Sequence, residues 1–240
     1  QGLVVMQADH LASRNLDMQL HSHCLAFGVT KGVDGKWGTF DAKELYTHKR
    51  AADIVYKNEL MMNLRELGFS MHQERQLDVR GRETGAVLYK VNGISDELCK
   101  VFSSRREEIL AYQAEHQVDA QTACLATRRH KDEPTFAEMQ AMWKQTMESL
   151  PEHIHVPTLE ELKEQDHLWM EQRSDAEILE RMHQHEAVLT EAEMIEVLGQ
   201  ENAGNVRFDA LKAKIEAFKV DNQLVEILPE GLAEIGRAHV

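Results

Sequence analysis

The chain has 240 residues, of which 42% are hydrophobic and 28% are charged, and only 4 are proline. This composition is typical of a globular protein and excludes a fibrous, disulfide-rich or low-complexity chain. The net charge of −14 is unevenly distributed: residues 1–131 hold 18 Lys and Arg against 17 Asp and Glu, whereas residues 132–240 hold 9 against 24. The first segment, with a net charge of +1, can therefore approach phosphate groups, although only weakly.

The location predicted from the sequence is the cytoplasm. No apolar run approaches the roughly 20 residues of a membrane helix, and the first residues lack the pattern of a signal peptide. The cysteines have no C-x-x-C spacing, which fits reduced thiols packed as small core hydrophobes. They are Cys24, Cys99 and Cys124. Because the chain begins with Gln1 rather than Met, we expect it to be part of a longer protein.

The first 40 residues predict β-strands. The runs "LVVMQADH" (3–10) and "QLHSHCLAFGV" (19–29) are apolar enough for strands of a sheet. Asp34-Gly35 supplies the positive φ angles of a tight hairpin, so the chain is expected to return through Trp37 and Phe40. We interpret Trp37 as a core residue rather than as a platform for base stacking.

Residues 41–68 predict one long helix that begins at Asp41 with Glu44 in a capping box and ends before Gly68. An apolar stripe with three-to-four or seven-residue steps is predicted to face the core. Its members are Leu45, Ala52, Tyr56, Leu60, Leu64 and Leu67. The basic residues Lys49, Arg50 and Lys57 lie outside this stripe, and a solvated face and a phosphate-binding face both remain open.

Two more strands and a helix are predicted next. "GFSMHQER" (68–75) and "GAVLYKVNG" (85–93) have the pattern of a strand pair, and residues 95–117 that of an amphipathic helix capped by Ser95. We therefore predict that residues 1–131 form a mixed α and β domain.

The second part of the chain is predicted to be mostly helical. Residues 132–174 form an acidic helical linker that includes a helix over 136–150. Residues 175–240 contain three short helices, one of them with a Thr190–Glu193 capping box, followed by a strand. This order suggests a winged-helix-like unit, although many small helical domains share the pattern.

Three H-x-H pairs are candidate metal ligands. They are His21 with His23, His153 with His155, and His183 with His185. With 13 His in the chain, chance alone gives roughly 0.7 such pairs, so the motif by itself is weak. The third pair lies in a predicted helix, where residues i and i+2 diverge, and the second lies between two prolines. Only the first pair lies on a predicted strand, where both side chains point to one face.

His10, at the end of the preceding predicted strand, would complete a set of three imidazoles. Such a set leaves coordination positions open for water or an anion, as a catalytic metal site requires. Imidazole ligands favour Mn, Zn, Ni or Cu over Mg. The residues alone leave two interpretations open: a metal site, or hydrogen-bonded, partly buried histidines in a sheet.

The stretch "HLASRNLDMQLHSH" (10–23), followed by "DGKW", resembles the metal motif of the MobF (TrwC/TraI-type) conjugative relaxases. That pattern is close to H-x-T-S-R-x-x-D-P-Q-L-H-T-H, with the same spacing of its histidines. Ala12, Met18 and Ser22 depart from it, but none is a ligand. The residues that agree between the histidines are Ser13, Arg14, Asp17, Gln19 and Leu20. The resemblance covers residues 1 to about 150 and extends more weakly into a segment that leads to a fused helicase.

The resemblance implies an α+β fold with a palm-like antiparallel sheet of the HUH type. It implies that His10, His21 and His23 hold one divalent ion, Mn, Mg or Zn. The implied reaction is metal-dependent nicking of single-stranded DNA at an origin of transfer, in which a tyrosine attacks the phosphate and forms a 5′-phosphotyrosyl intermediate. We expect that tyrosine upstream of Gln1, no catalytic residue in this chain, and no nicking by the chain alone. Packing is the role predicted for Tyr46, Tyr56, Tyr89 and Tyr112.

The same resemblance implies partners beyond DNA, namely conjugation accessory and coupling proteins, and ATP only for a downstream helicase module. Arg14, Lys49 and Arg50 are candidate DNA contacts. The alternative is ordinary ion pairing at the strand end for Arg14 and a solvated helix face for Lys49 and Arg50. Two other functions remain open: a rolling-circle replication initiator or transposase nuclease of the HUH class, and a non-enzymatic DNA-binding protein.

Overall fold

The structure is a computed structural model that describes residues 3–77, 83–128, 134–164, 173–183, 188–202, 204–221, 223–227 and 234–237. Its strands are β1 (Leu3–Ala12), β2 (Met18–Lys31), β3 (Trp37–Gly38), β4 (Met71–Leu77), β5 (Glu83–Val91), β6 (Val188–Thr190), β7 (Leu224–Ile227) and β8 (Glu234–Arg237). Its helices are α1 (Ala42–Thr47), α2 (Lys49–Glu66), α3 (Asp96–Val101), α4 (Ser104–His116), α5 (Ala120–Ala126), α6 (Phe136–Glu148), α7 (Leu159–Lys163), α8 (Asp175–His183), α9 (Glu191–Glu201) and α10 (Phe208–Val220). None of these helices is long and apolar enough to cross a bilayer.

The first compact unit comprises residues 1–40 and 94–157. Its sheet has the strand order β1-β2-β3, and each neighbouring pair is antiparallel. Gly35, with φ of +77°, lies in the predicted turn between β2 and β3. Helices α3 to α6 complete the unit. The two strands predicted at the start of the chain are confirmed, and both extend beyond the predicted limits.

The second compact unit comprises residues 41–93 and 158–240. It contains the antiparallel hairpin of β4 and β5 and a sheet of order β6-β8-β7. The Thr190–Glu193 capping box is formed as predicted, with Thr190 Oγ1 accepting from the backbone of Glu193. The core consists mainly of residues from α8, α9 and α10, and its fully buried side chains include Ile178, Met194, Leu198, Leu211 and Ile215.

Within the second unit, α2 packs closely on α9 through small and polar groups. Asn58, which is 1% exposed, donates to the Gly199 carbonyl over 2.9 Å and accepts from the Gly204 amide over 2.6 Å. A Cβ atom on Gly199 would overlap the Cγ2 methyl of Ile54 and lie 3.1 Å from Asn58 Nδ2. Glycine at position 199 therefore permits the two helices to approach.

The long helix predicted over 41–68 is correct at its ends but wrong in its continuity. Asp41 caps α1 by accepting from the Lys43 amide over 2.9 Å, in place of the predicted capping box with Glu44, and Gly68 adopts a φ of +93° after α2. The helix breaks at His48, where Thr47 Oγ1 donates to the Lys43 carbonyl and His48 Nδ1 lies 2.8 Å from the Glu44 carbonyl. Such side-chain bonds compete with the helical hydrogen bonds of the backbone.

The helix predicted over 95–117 breaks in the same way. Ser95 caps α3 as predicted, but α3 ends at Val101 and α4 begins at Ser104. Ser103 Oγ donates to the Cys99 carbonyl over 2.6 Å at this point. In both helices, a hydroxyl that bonds back one turn marks the break.

The apolar stripe predicted for α2 is also wrong. The buried residues of α2 are Ala51, Ile54, Asn58 and Met61, whereas Tyr56 and Leu67 are 62% and 61% exposed. The buried face is displaced because α9 approaches over Asn58 and Gly199. The pattern of apolar residues alone does not contain this information, since α2 is apolar on more than one side.

Several side chains predicted to be internal are exposed. Trp37, which was predicted to be a core residue, is 66% exposed. All three cysteines are exposed as well. Leu25 and Phe27 lie on the strand face that carries His21 and His23, and they are 52% and 42% exposed, so among the described residues this face is not buried.

The division of the chain into domains 1–131, 132–174 and 175–240 stays a prediction. The two compact units described above divide the chain at other points. Parts of the predicted linker, residues 132–133 and 165–172, lie outside the described residues.

Gly199→Ala tests the close approach of α2 and α9. Alanine is favoured over glycine inside a helix by about 1 kcal/mol, but overpacking costs about 1–3 kcal/mol. We expect the substitution to lower the free energy of unfolding by about 1–2 kcal/mol in chemical denaturation followed by circular dichroism. Gly28→Ala is the control because, apart from Gly28 itself and its two chain neighbours, nothing lies within 4 Å of the added Cβ. A Gly199→Ala chain as stable as the unaltered protein would contradict this packing.

Candidate metal centre

The register of β1 and β2 places three histidines on one face of the hairpin. His10 lies directly opposite His21, and Ala8 lies directly opposite His23. Residues opposite each other in an antiparallel pair share a face, and so do residues two apart on a strand. The small side chain of Ala8 leaves room beside His23. His10, His21 and His23, which were predicted as ligands from the sequence, are therefore neighbours.

The three rings form a compact group. Their centroids are 5.4 Å apart for His10 and His21, 4.7 Å for His10 and His23, and 5.0 Å for His21 and His23. One ring nitrogen from each lies within 4.8 Å of the other two. His10 and His21 are half-buried and His23 is exposed. This spacing is compatible with one cation shared by the three rings.

A β-bulge beside the triad orients His21. The register shifts between His10 and Ala12, so that β2 has one extra residue next to the His10–His21 pair. His21 Nδ1 lies 2.9 Å from the carbonyl oxygen of Gln19. A carbonyl only accepts hydrogen bonds, so Nδ1 carries the hydrogen and Nε2 keeps its lone pair for a ligand. A metal-binding imidazole is usually held in this way, because the ring nitrogen that does not bind the metal donates a hydrogen bond to a neighbouring oxygen.

Asp9, the carboxylate next to His10 in the sequence, lies on the other face of the strand. Asp9 pairs with Ser22 across the hairpin and accepts hydrogen bonds from the side chains of Gln7 and Ser22. These bonds, chiefly the one from Gln7, hold the pKa of Asp9 below its usual value. Among the described residues, the side chains that converge here as possible metal ligands are therefore three imidazoles. This donor set fits a divalent transition metal and leaves positions open for oxygen ligands.

The predicted DNA contacts lie at different places. Arg14 is half-buried in the turn between β1 and β2, within the unit that holds the triad. Lys49 and Arg50 are exposed in the first turn of α2, which belongs to the other unit, and Arg50 lies 3.9 Å from Glu196. A role for these three residues in binding DNA stays a prediction.

Two residues near the site were not predicted to have a role there. Asp17 is buried and accepts hydrogen bonds from α4, and Trp143 Nε1 donates to the carbonyl of Leu16 over 2.7 Å. The sequence indicated Asp17 only through its agreement with the family motif, and it did not indicate the contact with α4. Trp143 is 127 residues away from Leu16 in sequence and has no local pattern that could indicate this contact.

Comparison with known proteins identifies the family of the chain. The family model described as TrwC relaxase matches residues 1–150. Since this is more than half of the sequence and includes the three histidines, the chain belongs to the TrwC relaxase family. A comparison with curated proteins gives no match.

Solved structures of a relaxase agree with this result. The chain is similar to the conjugative relaxase TrwC in complex with oriT DNA, in a metal-free structure, with 26% identity and a TM-score of 0.51 over 61% of this chain and 51% of that one. The copper-bound complex of TrwC with oriT DNA gives 26% identity and a TM-score of 0.50 over 61% and 49%. TrwC with a 27-mer DNA that comprises the recognition hairpin and the cleavage site gives 26% and 0.50 over 61% and 51%.

The α+β relaxase fold with antiparallel sheets is therefore confirmed. The chain spans about half the length of the solved relaxases that it matches.

The tautomer of His21 is a direct test of the site's geometry. We expect neutral His21 to carry its hydrogen on Nδ1, because that atom faces the Gln19 carbonyl. Long-range ¹H–¹⁵N correlation spectra of the ¹⁵N-labelled chain distinguish the two tautomers. His21→Gln assigns the signal. Observation of the Nε2–H tautomer for His21 would show that the bulge does not orient the ring as described.

Proposed function

We propose that this chain contributes the metal-binding part of a conjugative relaxase, which nicks single-stranded DNA at an origin of transfer. The observation that carries the proposal is the convergence of His10, His21 and His23 within the region that matches the TrwC family. Solved TrwC structures contain oriT DNA, which supports single-stranded DNA of an origin of transfer as the substrate. Family membership favours this function over a replication initiator, a transposase nuclease or a non-enzymatic DNA-binding protein.

The proposed cofactor is one divalent metal ion, Mn, Mg or Zn, held by the three histidines. A copper-bound structure of TrwC supports a divalent metal in general and leaves its identity open. Bound in this position, the cation would withdraw charge from the scissile phosphate, where negative charge develops in the transition state. Three neutral ligands do not reduce the cation's charge, so this donor set suits an anionic substrate better than a carboxylate-rich set would.

The residues of the hairpin have separate tasks in this proposal. His10 and His21 supply the directly paired, half-buried ligands, and exposed His23 supplies the third on the side that is open to solvent. The Gln19 carbonyl holds His21 with Nε2 available for the metal. Asp9, on the opposite face, is hydrogen-bonded to Gln7 and Ser22 and takes no part as a ligand.

None of the four tyrosines is proposed as the nucleophile. Tyr112, the one tyrosine in the unit of the triad, stacks on His116 with ring centroids 3.9 Å apart. Burial and the nearby charge of Asp53 raise the pKa of Tyr89 to about 12, which disfavours its phenolate. Tyr46 and Tyr56 lie exposed on α1 and α2. We therefore assign metal binding to this chain, and we do not assign it the attacking oxygen.

The remaining parts of the proposal depend on the family resemblance. Arg14, Lys49 and Arg50 stay candidate DNA contacts. Conjugation accessory and coupling proteins are proposed as partners of the whole relaxase, in the cytoplasm. A fused helicase with its own ATP site remains a prediction.

Calorimetric titration with Mn(II) tests the metal site. We expect one binding site per chain and its loss in the double variant His21→Ala, His23→Ala, because a single remaining imidazole cannot retain the ion. The matched control is His153→Ala, His155→Ala, which removes an H-x-H pair from the same unit but outside the triad.

The two variants together make the result interpretable. Unchanged binding in the control and lost binding in the His21, His23 variant would support the proposal. Equal Mn(II) binding by both variants would exclude the triad as the metal site. Circular dichroism should show that both variants keep the helical content of the unaltered chain.

A further inference from the structure

The turn that joins the two ligand strands is held by a buried carboxylate. Asp17, which is 8% exposed, accepts from Ser104 Oγ over 2.7 Å and from the backbone N–H of Arg105 over 3.1 Å. These groups open α4, whose own N-cap residue, Ser103, makes no side-chain capping bond. A carboxylate satisfies the free N–H groups at a helix start and interacts favourably with the helix dipole. Asp17 thus caps α4 from the hairpin.

A second contact joins the same turn to α4. Asn15 Nδ2 donates to Glu108 Oε2 over 3.1 Å, and Arg105 donates to the same oxygen over 3.0 Å. The Arg105 guanidinium also donates to the carbonyls of Cys124 and Thr127, both over 2.9 Å, at the end of α5. Since Arg105 and Glu108 are mostly buried, this network is shielded from competition by water.

A third contact holds Leu16, the residue of the turn with an unfavourable backbone conformation. Leu16 has a φ of +66°, a left-handed conformation that residues other than Gly, Asn and Asp seldom adopt. Its carbonyl accepts from Trp143 Nε1 of α6 over 2.7 Å. Ser13 supports the turn from inside: its amide donates to the Asp17 carbonyl, and its carbonyl accepts from the Leu16 amide. A strained backbone persists where its surroundings determine it, and such positions cluster at functional sites.

The turn leads directly into the bulge that orients the ligands. Gln19, whose carbonyl accepts from His21, is two residues after Asp17. Ser13, at the other end of the turn, is three residues after His10. A displacement of the turn would therefore alter both the His10–His21 register and the hydrogen bond that holds the His21 ring.

We infer that Asp17 and Trp143 are positioning residues for the metal ligands: through the turn 13–17 they hold His10 and His21 in the geometry that a shared cation needs. This inference rests on the proposed function, because it requires that the triad bind a metal. Neither Asp17 nor Trp143 is proposed as a ligand of the metal. Their effect is exerted through the backbone of the turn and of the adjacent bulge.

The test measures metal binding in the chain with two variants, Asp17→Asn and Trp143→Phe. Asparagine keeps the shape of the carboxylate but loses its charge, and phenylalanine removes the indole N–H. Loss of groups that support metal ligands typically lowers metal affinity about 10–100-fold. We expect both variants to raise the Kd for Mn(II) by about 10-fold or more and to change the visible absorption bands of bound Co(II), which report ligand geometry.

Asp119→Asn is the matched control. Asp119 caps α5 in the same unit by accepting from the amides of Gln121 and Thr122, and it makes no described contact with the hairpin. This variant should lower the melting temperature but leave the Kd and the Co(II) spectrum unchanged. A merely structural role of Asp17 and Trp143 would make them behave as Asp119 does.

The outcomes separate this inference from the proposed function. If the unaltered chain binds no Mn(II), the proposed function fails and the positioning role fails with it. If the unaltered chain binds Mn(II), and Asp17→Asn and Trp143→Phe bind it within twofold and with the same Co(II) spectrum, only the positioning role is overturned. If Asp17→Asn does not fold, Ser104→Ala takes its place, because it removes one donor to the carboxylate.

Discussion

The antiparallel register of β1 and β2 is the constraint on which the candidate site depends. It places His10 opposite His21 and Ala8 opposite His23, so that three imidazoles share one face and Asp9 with Ser22 occupies the other. If β1 slipped by one residue relative to β2, the side chains of β1 would change faces. The carboxylate of Asp9 would then replace the imidazole of His10 on the face of His21 and His23. The register of the two strands therefore determines both where the possible ligands lie and that they are imidazoles rather than carboxylates.

The hairpin of β1 and β2 alone would hold this register only weakly, because an isolated two-stranded hairpin is marginally stable in water. In this chain the turn is anchored to α4 and α6 through Asp17, Asn15 and the Leu16 carbonyl. These bonds offset the cost of the left-handed Leu16, and they connect the turn between the ligand strands to helices that begin much later in the chain, at Ser104 and Phe136. The site thus combines a local motif with long-range support.

The sequence predicted those features that are determined locally. The two ligand strands, the caps at Asp41, Ser95 and Thr190, and the turn at Gly35 follow from neighbouring residues, and all are present. The buried face of α2 and the contacts of Asp17 and Trp143 depend on partners 87–141 residues away, which no short pattern contains. The helix breaks at His48 and Ser103 fall between these cases, since hydroxyl groups that bond back one turn give a local but easily missed signal.

X-ray absorption spectroscopy of the Zn(II)-loaded chain distinguishes binding of the metal by the three histidines from binding elsewhere, because it identifies the ligand atoms themselves. We expect a first shell of nitrogen and oxygen at about 2.0–2.1 Å, with outer-shell scattering from three imidazole rings and none from sulfur. The variant His21→Ala should reduce the imidazole contribution to two rings. A first shell that contains thiolate sulfur, or imidazole scattering that is the same in the unaltered chain and in His21→Ala, would contradict the assignment of the metal to His10, His21 and His23.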